Sequence, residues 1–96
     1  MISPAVETHL PLGRLYATPG AIEALERSGQ SPLEFLVRHG RGDWGEVCAE
    51  DWRLNDESRT NGTRILSAYR TKSGDRIWVI TEADRSATTV LLPEEY

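Results

Sequence analysis

The last twenty residues, Ile77 to Tyr96, place apolar positions in two runs, IWVIT and ATTVLL, on either side of the polar stretch Glu82-Ala83-Asp84-Arg85-Ser86. Period-two alternation with β-branched residues predicts strands over Arg76–Glu82 and Ala87–Leu92. If the turn pairs Glu82 with Ala87, then Thr81 faces Thr88, Val79 faces Val90 and Ile77 faces Leu92, which makes one side of the hairpin uniformly β-branched and apolar. A further strand is predicted over Thr63–Thr71, joined to the hairpin through a turn at Lys72–Asp75.

The first half of the chain reads as helices. Thr18-Pro19-Gly20 combines a capping hydroxyl with proline at the first helical position, and a helix follows to about Ser28, with Ile22 and Leu25 inward and Gly29 as its stop. Ser31-Pro32-Leu33-Glu34 is a capping box, and Leu33, Leu36 and Val37 at offsets of zero, three and four predict the buried face of a second helix ending at Gly40. The glycine-rich stretch His39 to Gly45 predicts a shaped loop. A third helix is expected over Ala49–Thr60, with Glu50 and Asp51 at the positive end of its dipole and Asn61-Gly62 as its stop; Trp52 and Leu54 cannot share one narrow apolar stripe on it. Gly13–Ala17 is a candidate short edge strand, and residues 1–12, with two prolines and no period, an extended lead-in.

These elements define an α+β domain over residues 13–96. Two or three helices pack on one face of a C-terminal antiparallel three-stranded meander. The other face carries Trp78, Ile80 and Leu91, more apolar area than a solvated sheet face ordinarily tolerates. A homo-oligomer contact, the N-terminal arm or a partner protein is expected to cover it.

Ninety-six residues suffice for one core. Composition is that of a folded domain, 39% hydrophobic and 27% charged. The formal charge of −4 and pI of about 5.1 exclude a globally positive field for a phosphate backbone and leave room only for a local basic patch. Cys48 is the single cysteine, which excludes an internal disulfide and fits a reducing cytoplasm. No apolar run approaches the roughly 18 residues of a membrane span.

The stretches RHGRGDWGEV (Arg38 to Val47), RILSAYRT (Arg64 to Thr71) and IWVITEADRSATTVLLPEEY (Ile77 to Tyr96) resemble a family of small, uncharacterised bacterial proteins of integrative mobile elements, labelled plasmid-related or hypothetical. That resemblance implies cytoplasmic residence and carriage on mobile DNA. Over roughly Leu33 to Leu92 the chain is also similar, more weakly, to the barnase-like, colicin-like and RelE-like ribonucleases, in which helices precede an antiparallel sheet. Under that resemblance His39 and Glu82 would be the acid–base pair and Arg85 the phosphate clamp of a metal-independent ribonuclease.

Each of these residues also has a structural reading. His39, in a last helical turn, would favour the dipole and cap a carbonyl. Glu82 and Arg85 would form an ion pair on a solvated rim. Asp84 would bond its own turn backbone. Asp43-Trp44-Gly45 either folds back as a lid on the core or presents an aromatic anchor to a partner. Phosphate loops, dinucleotide fingerprints, paired-histidine helices and serine elbows are missing from the sequence, so neither cofactor nor metal is expected. The leading expectation is a non-enzymatic protein-binding accessory protein that acts on a host-defence or regulatory component. It would work through Asp43 and Trp44, or through Trp78, Ile80, Leu91 and the turn at Asp84 and Arg85. RNA is a partner only under the ribonuclease reading.

Overall fold

Helix starts follow the local chemistry of the caps. The computed structural model describes residues 10–96, so residues 1–9 of the expected lead-in lie outside the described residues. Thr18 Oγ1 accepts from the Ala21 amide at 3.2 Å and Ser31 Oγ from the Leu33 amide at 3.1 Å. These caps open helices α1 (Pro19–Ser28) and α2 (Pro32–Gly40). The reciprocal half of the expected capping box is replaced by an exposed bond, since the Glu34 carboxylate accepts from the Gln30 amide group at 2.9 Å. Helix α3 (Ala49–Asn61) ends at Gly62, whose φ of 76° is a left-handed stop.

Four strands form one sheet: β1 (Arg14–Ala17), β2 (Ile65–Arg70), β3 (Arg76–Thr81) and β4 (Ala87–Leu91), in the order β1-β4-β3-β2. The meander β2-β3-β4 is antiparallel, and Val79↔Val90 and Thr81↔Thr88 have the expected register. The sheet as a whole is mixed and four-stranded instead of a three-stranded antiparallel meander, because β1 joins β4 in parallel, with Arg14↔Ala87 and Ala17↔Val90. A parallel neighbour needs a long crossover, and here everything from α1 to β3 lies between the two strands.

One face of the sheet, the inner face, carries Ile65, Ser67, Tyr69, Ile77, Val79, Thr81, Thr88 and Val90, all buried. Ala21, Ala24, Leu25, Phe35 and Leu36 pack on it. The buried face of α1 is therefore built on two alanines and Leu25, while Ile22 is 41% exposed; on α2, Leu33 is 53% exposed and Phe35 takes the core position. Both helices thus turn a different side to the sheet from the stripe read from the larger side chains, and on α1 that side is built on small residues. A second cluster of Leu10, Trp44 and Ile65 is flanked by Leu12, Val47 and Trp52.

The free edge of β2 is closed twice. Ala68 donates its amide to the Trp44 carbonyl at 3.1 Å, and the Glu46 amide donates to the Ala68 carbonyl at 2.6 Å, an isolated parallel bridge centred on Gly45. One turn into α3, the Asn55 side chain donates to the Leu66 carbonyl at 2.8 Å. This explains why α3 buries Asn55 in place of an apolar residue. Its side chains satisfy a strand edge.

The outer face is partly covered by the chain's own C-terminal end, not by the helices. A 3-10 turn, Pro93–Glu95, leads to Tyr96, whose ring meets Trp78 edge-on at 5.8 Å between centroids. Arg64 lies over the other side of Tyr96 and donates to its hydroxyl. The Glu95 carboxylate accepts from Thr18 Oγ1 at 2.5 Å, the Gly20 amide at 3.2 Å and the Leu92 amide at 2.9 Å. It sits at the positive end of α1, which together with these bonds holds it below the usual carboxylate range.

The edge closure makes a sharp prediction at Gly45. Its φ is +75° and an added Cβ would lie 2.0 Å from the Ala68 carbonyl oxygen, whereas Gly62 has φ +76° and open space around it. Gly45→Ala is expected to cost about 3 kcal/mol or more and Gly62→Ala only about 1 kcal/mol, measured by urea denaturation.

Candidate functional site

His39, the expected acid–base residue, is 0% exposed. It sits where α2 crosses the inner face. Ser67 Oγ lies 2.5 Å from Nδ1, and Thr81 Oγ1 lies 2.8 Å from Nε2. Thr81 Oγ1 is in turn 2.7 Å from Thr88 Oγ1, which donates to the Leu12 carbonyl at 2.7 Å. The proton count fixes every direction in this chain. A carbonyl can only accept, so the single Thr88 hydroxyl proton goes to Leu12. Thr81 must then donate to Thr88 and accept from Nε2–H. Nδ1 is left bare, and Ser67 donates to it.

His39 is therefore the neutral Nε2–H tautomer. Burial, and secondarily the charge of Arg85, push its pKa down to about 4 from 6.5. The expected role as a helix-end cap with a partly protonated ring is thus corrected: the ring bonds side chains of two strands, and Trp44 packs edge-on against it at 5.4 Å.

Arg85 has left-handed backbone, φ 62°, and its guanidinium is occupied by main-chain carbonyls. Nη1 donates to Thr63 at 2.8 Å and to Glu82 at 3.2 Å, and Nη2 to Ser58 at 2.5 Å in the last turns of α3. A cation is favourable there because the helix leaves its final carbonyls unsatisfied. Among the described residues no ion pair joins Arg85 to Glu82; Arg85 takes the Glu82 carbonyl instead, and Glu82 is exposed. Asp84 makes the expected turn bond, accepting from the Ser86 amide at 2.9 Å.

Trp44 is 0% exposed, and its indole N–H donates to Asp56 at 2.9 Å. The aromatic ring is core, with no surface to offer a partner. Asp43 accepts from Arg38 Nε at 2.8 Å and from the Gly45 amide at 3.1 Å, which holds its carboxyl below the usual range. Arg38 stacks over Tyr69 at 4.5 Å, and the Tyr69 hydroxyl donates to the Asp43 carbonyl at 2.6 Å. The loop from His39 to Gly45 is thereby shaped by bonds to its own neighbours.

The remaining candidates, Trp78, Ile80 and Leu91, do share the outer face. Ile80 and Leu91 are only 4% and 6% exposed, and Trp78 is half-buried. What this face presents to solvent is different from the aliphatic patch expected. Strand alternation and register place Tyr16 beside Thr89, Ile80 and Leu66 in one row, and Leu91, Trp78 and Ala68 in the next. Tyr16 and Tyr96 are 51% and 66% exposed.

Arg14, Arg64, Arg70 and Arg76 share this face, four of the eleven basic residues of a chain with net charge −4. Glu46 pairs with Arg70 at 3.3 Å and, with Ala68, Arg76 and Trp78, lines a cleft of about 120 Å³. Of the fourteen acidic residues among those described, seven lie on the helices, including Glu23 and Glu26 on α1 and Glu50, Asp51, Asp56 and Glu57 on α3. Sequence reasoning missed Tyr16, Tyr96, Arg14 and Arg64, and took Arg70 and Arg76 only as cations near strand ends. The signal was present as parity, since Arg64, Leu66, Ala68 and Arg70, and likewise Arg76, Trp78 and Ile80, fall on alternate positions.

No family model, curated protein or solved structure matches the chain. Among the described residues no helix is long and apolar enough to cross a membrane.

The buried imidazole gives a pH dependence with a definite sign. Between about pH 4 and 6.5 the unfolded chain binds a proton at His39 that the folded chain refuses, so stability rises with pH through this window. The contribution is complete above 6.5 and lost as pH falls to 4, about 3 kcal/mol in all. Urea denaturation at steps between pH 4 and 7 is expected to follow this slope, and in His39→Gln the slope above about pH 5 should vanish, leaving near pH 4 only the part that comes from carboxylates such as Asp43 and Glu95.

Proposed function

We propose that the chain is a small non-enzymatic binding protein, an accessory protein of bacterial mobile DNA, whose working surface is the outer face of the sheet. Its ligand is a partner protein carrying acidic groups, a host-defence or regulatory component. The observation that carries this reading is the contrast between the two faces. On the inner side, the acid–base candidate His39 is sealed in a hydrogen-bond chain and Arg85 is spent on carbonyls. On the outer side, Tyr16, Trp78 and Tyr96 stand among four arginines.

Tyr, Trp and Arg are the residue types that dominate binding energy at protein interfaces, because each offers a large, stiff contact area together with a polar tip. Positive charge on one face of a negative protein orients an approaching acidic surface and rejects the helical side. The ribonuclease alternative would need His39 and Glu82 to meet a substrate together. With His39 at 0% exposure, no observation favours it.

Two measurements test this reading. Purified protein incubated with RNA in EDTA is expected to leave the RNA intact; cleavage that disappears in Glu82→Ala would establish the ribonuclease instead. In parallel, the paired substitutions Trp78→Ser and Arg76→Glu are expected to leave the fold intact by circular dichroism. They should reduce capture of a nuclease-resistant protein partner at least tenfold, while Ile22→Ser on α1 leaves capture unchanged. Equal capture by both variants places the interface elsewhere.

A further inference from the structure

The two edges of the sheet are treated differently. The edge of β2 is closed by the Trp44–Glu46 bridge and by Asn55. Among the described residues nothing comparable closes the opposite edge, β1. Arg14 donates its amide to Ser86 and Thr18 donates to Val90, both at 3.0 Å. In a parallel ladder the even-numbered residues of β1 therefore face β4, and the N–H and C=O of Leu15 point off the sheet. Among the described residues no partner meets them. Leu15 and Tyr16 are 52% and 51% exposed, on opposite faces of this edge. Neither proline nor a bulge interrupts Arg14–Ala17, whose protection as an open edge is its four-residue length and the charge of Arg14.

We infer that β1 pairs antiparallel with β1 of a second copy of this chain, across a two-fold axis through Leu15 and perpendicular to the sheet. The occupant is a second copy because in that register the strand's own exposed side chains match, leucine with leucine and arginine with tyrosine. Leu15 of each copy exchanges both main-chain hydrogen bonds with Leu15 of the other, using the groups that point off the sheet. The two leucine side chains meet on the inner side. Positions that sum to thirty share a face, so Arg14 of one copy lies beside Tyr16 of the second copy on the outer side, twice. Each pair brings a guanidinium to an exposed aromatic ring. A register shifted by one residue would set Leu15 against Tyr16 from opposite faces and lose both contacts.

The product is one eight-stranded sheet whose outer face joins the two aromatic and arginine surfaces. The interface is isologous, so association stops at the dimer. Four residues per copy form a small contact, so the dimer is transient. The inference does not depend on the identity of any ligand of the outer face.

Sedimentation equilibrium over a concentration series of the full chain tests it. The weight-average mass is expected to rise from 10.8 kDa toward twice that value. Leu15→Lys and Tyr16→Arg should each weaken the dimer at least tenfold, with an unchanged melting temperature in dilute solution. Tyr16→Arg sets like charges face to face, and combining it with Arg14→Glu should restore the dimer, because the charges then alternate across the axis. That rescue is specific to the register. A mass of 10.8 kDa at every concentration overturns the inference and leaves the edge to an extended segment of a different protein. A dimer indifferent to Tyr16→Arg overturns it as well, by placing the contact elsewhere.

Discussion

Everything on the inner side of the sheet is arranged around one imidazole. His39 belongs to α2, Ser67 to β2, Thr81 to β3 and Thr88 to β4, and the chain of bonds ends on the carbonyl of Leu12 ahead of β1. Five separate segments are thereby held in register by four hydrogen bonds that all run one way. A buried polar group without a partner costs several times what a typical bond contributes. Removing any member strands the next one, and the network specifies a single arrangement more strictly than aliphatic packing could. Trp44 closes the site from the side, and its own N–H is satisfied by Asp56. Side chains that look reactive in isolation are used here to fix the relation of a helix to a sheet.

The parts of this architecture that rest on neighbours in sequence were legible. Thr18, Ser31, Gly29 and Gly62 are caps because of chemistry within three or four residues, and the β3–β4 register follows from period two plus a short turn. What failed had a distant cause. The parallel pairing of Arg14 with Ala87 joins positions more than seventy residues apart, and a four-residue run has no pattern that states its direction. His39 and Trp44 sit in or beside a glycine-rich stretch that reads as a shaped loop, with Trp44 either a lid on the core or an anchor for a partner. Only the convergence of Ser67, Thr81 and Thr88 gives the imidazole partners, and only the α3 edge gives the indole one. Ile22 and Leu33 were placed inward by size, whereas the side of α1 that faces the sheet is built on Ala21 and Ala24.

Of the candidate site, the outer-face location of Trp78, Ile80 and Leu91 was legible, and its chemical character was not. The two aliphatic residues are shielded, and the surface that remains is made of aromatic rings and guanidinium groups. This charge separation is invisible in a total of −4. It arises because seven acidic residues lie on the three helices, while Arg14, Arg70 and Arg76 lie at alternate strand positions. A uniform composition can hide two opposed surfaces when the layers of the fold sort residues by secondary structure.

The grip of Glu95 on Thr18 and Gly20 also constrains the order of events during synthesis. These partners are separated by 77 and 75 positions, and β1 finds its strand partner only in β4. While the chain is being made, α1, α2 and α3 emerge with their apolar sides uncovered, because the sheet that covers them is encoded last. Contacts of such sequence separation form slowly compared with local helices, and exposed intermediates of this kind are prone to association. The domain therefore closes only once β4 and Glu95 have been made, in a step that brings β1 and the 3-10 turn together.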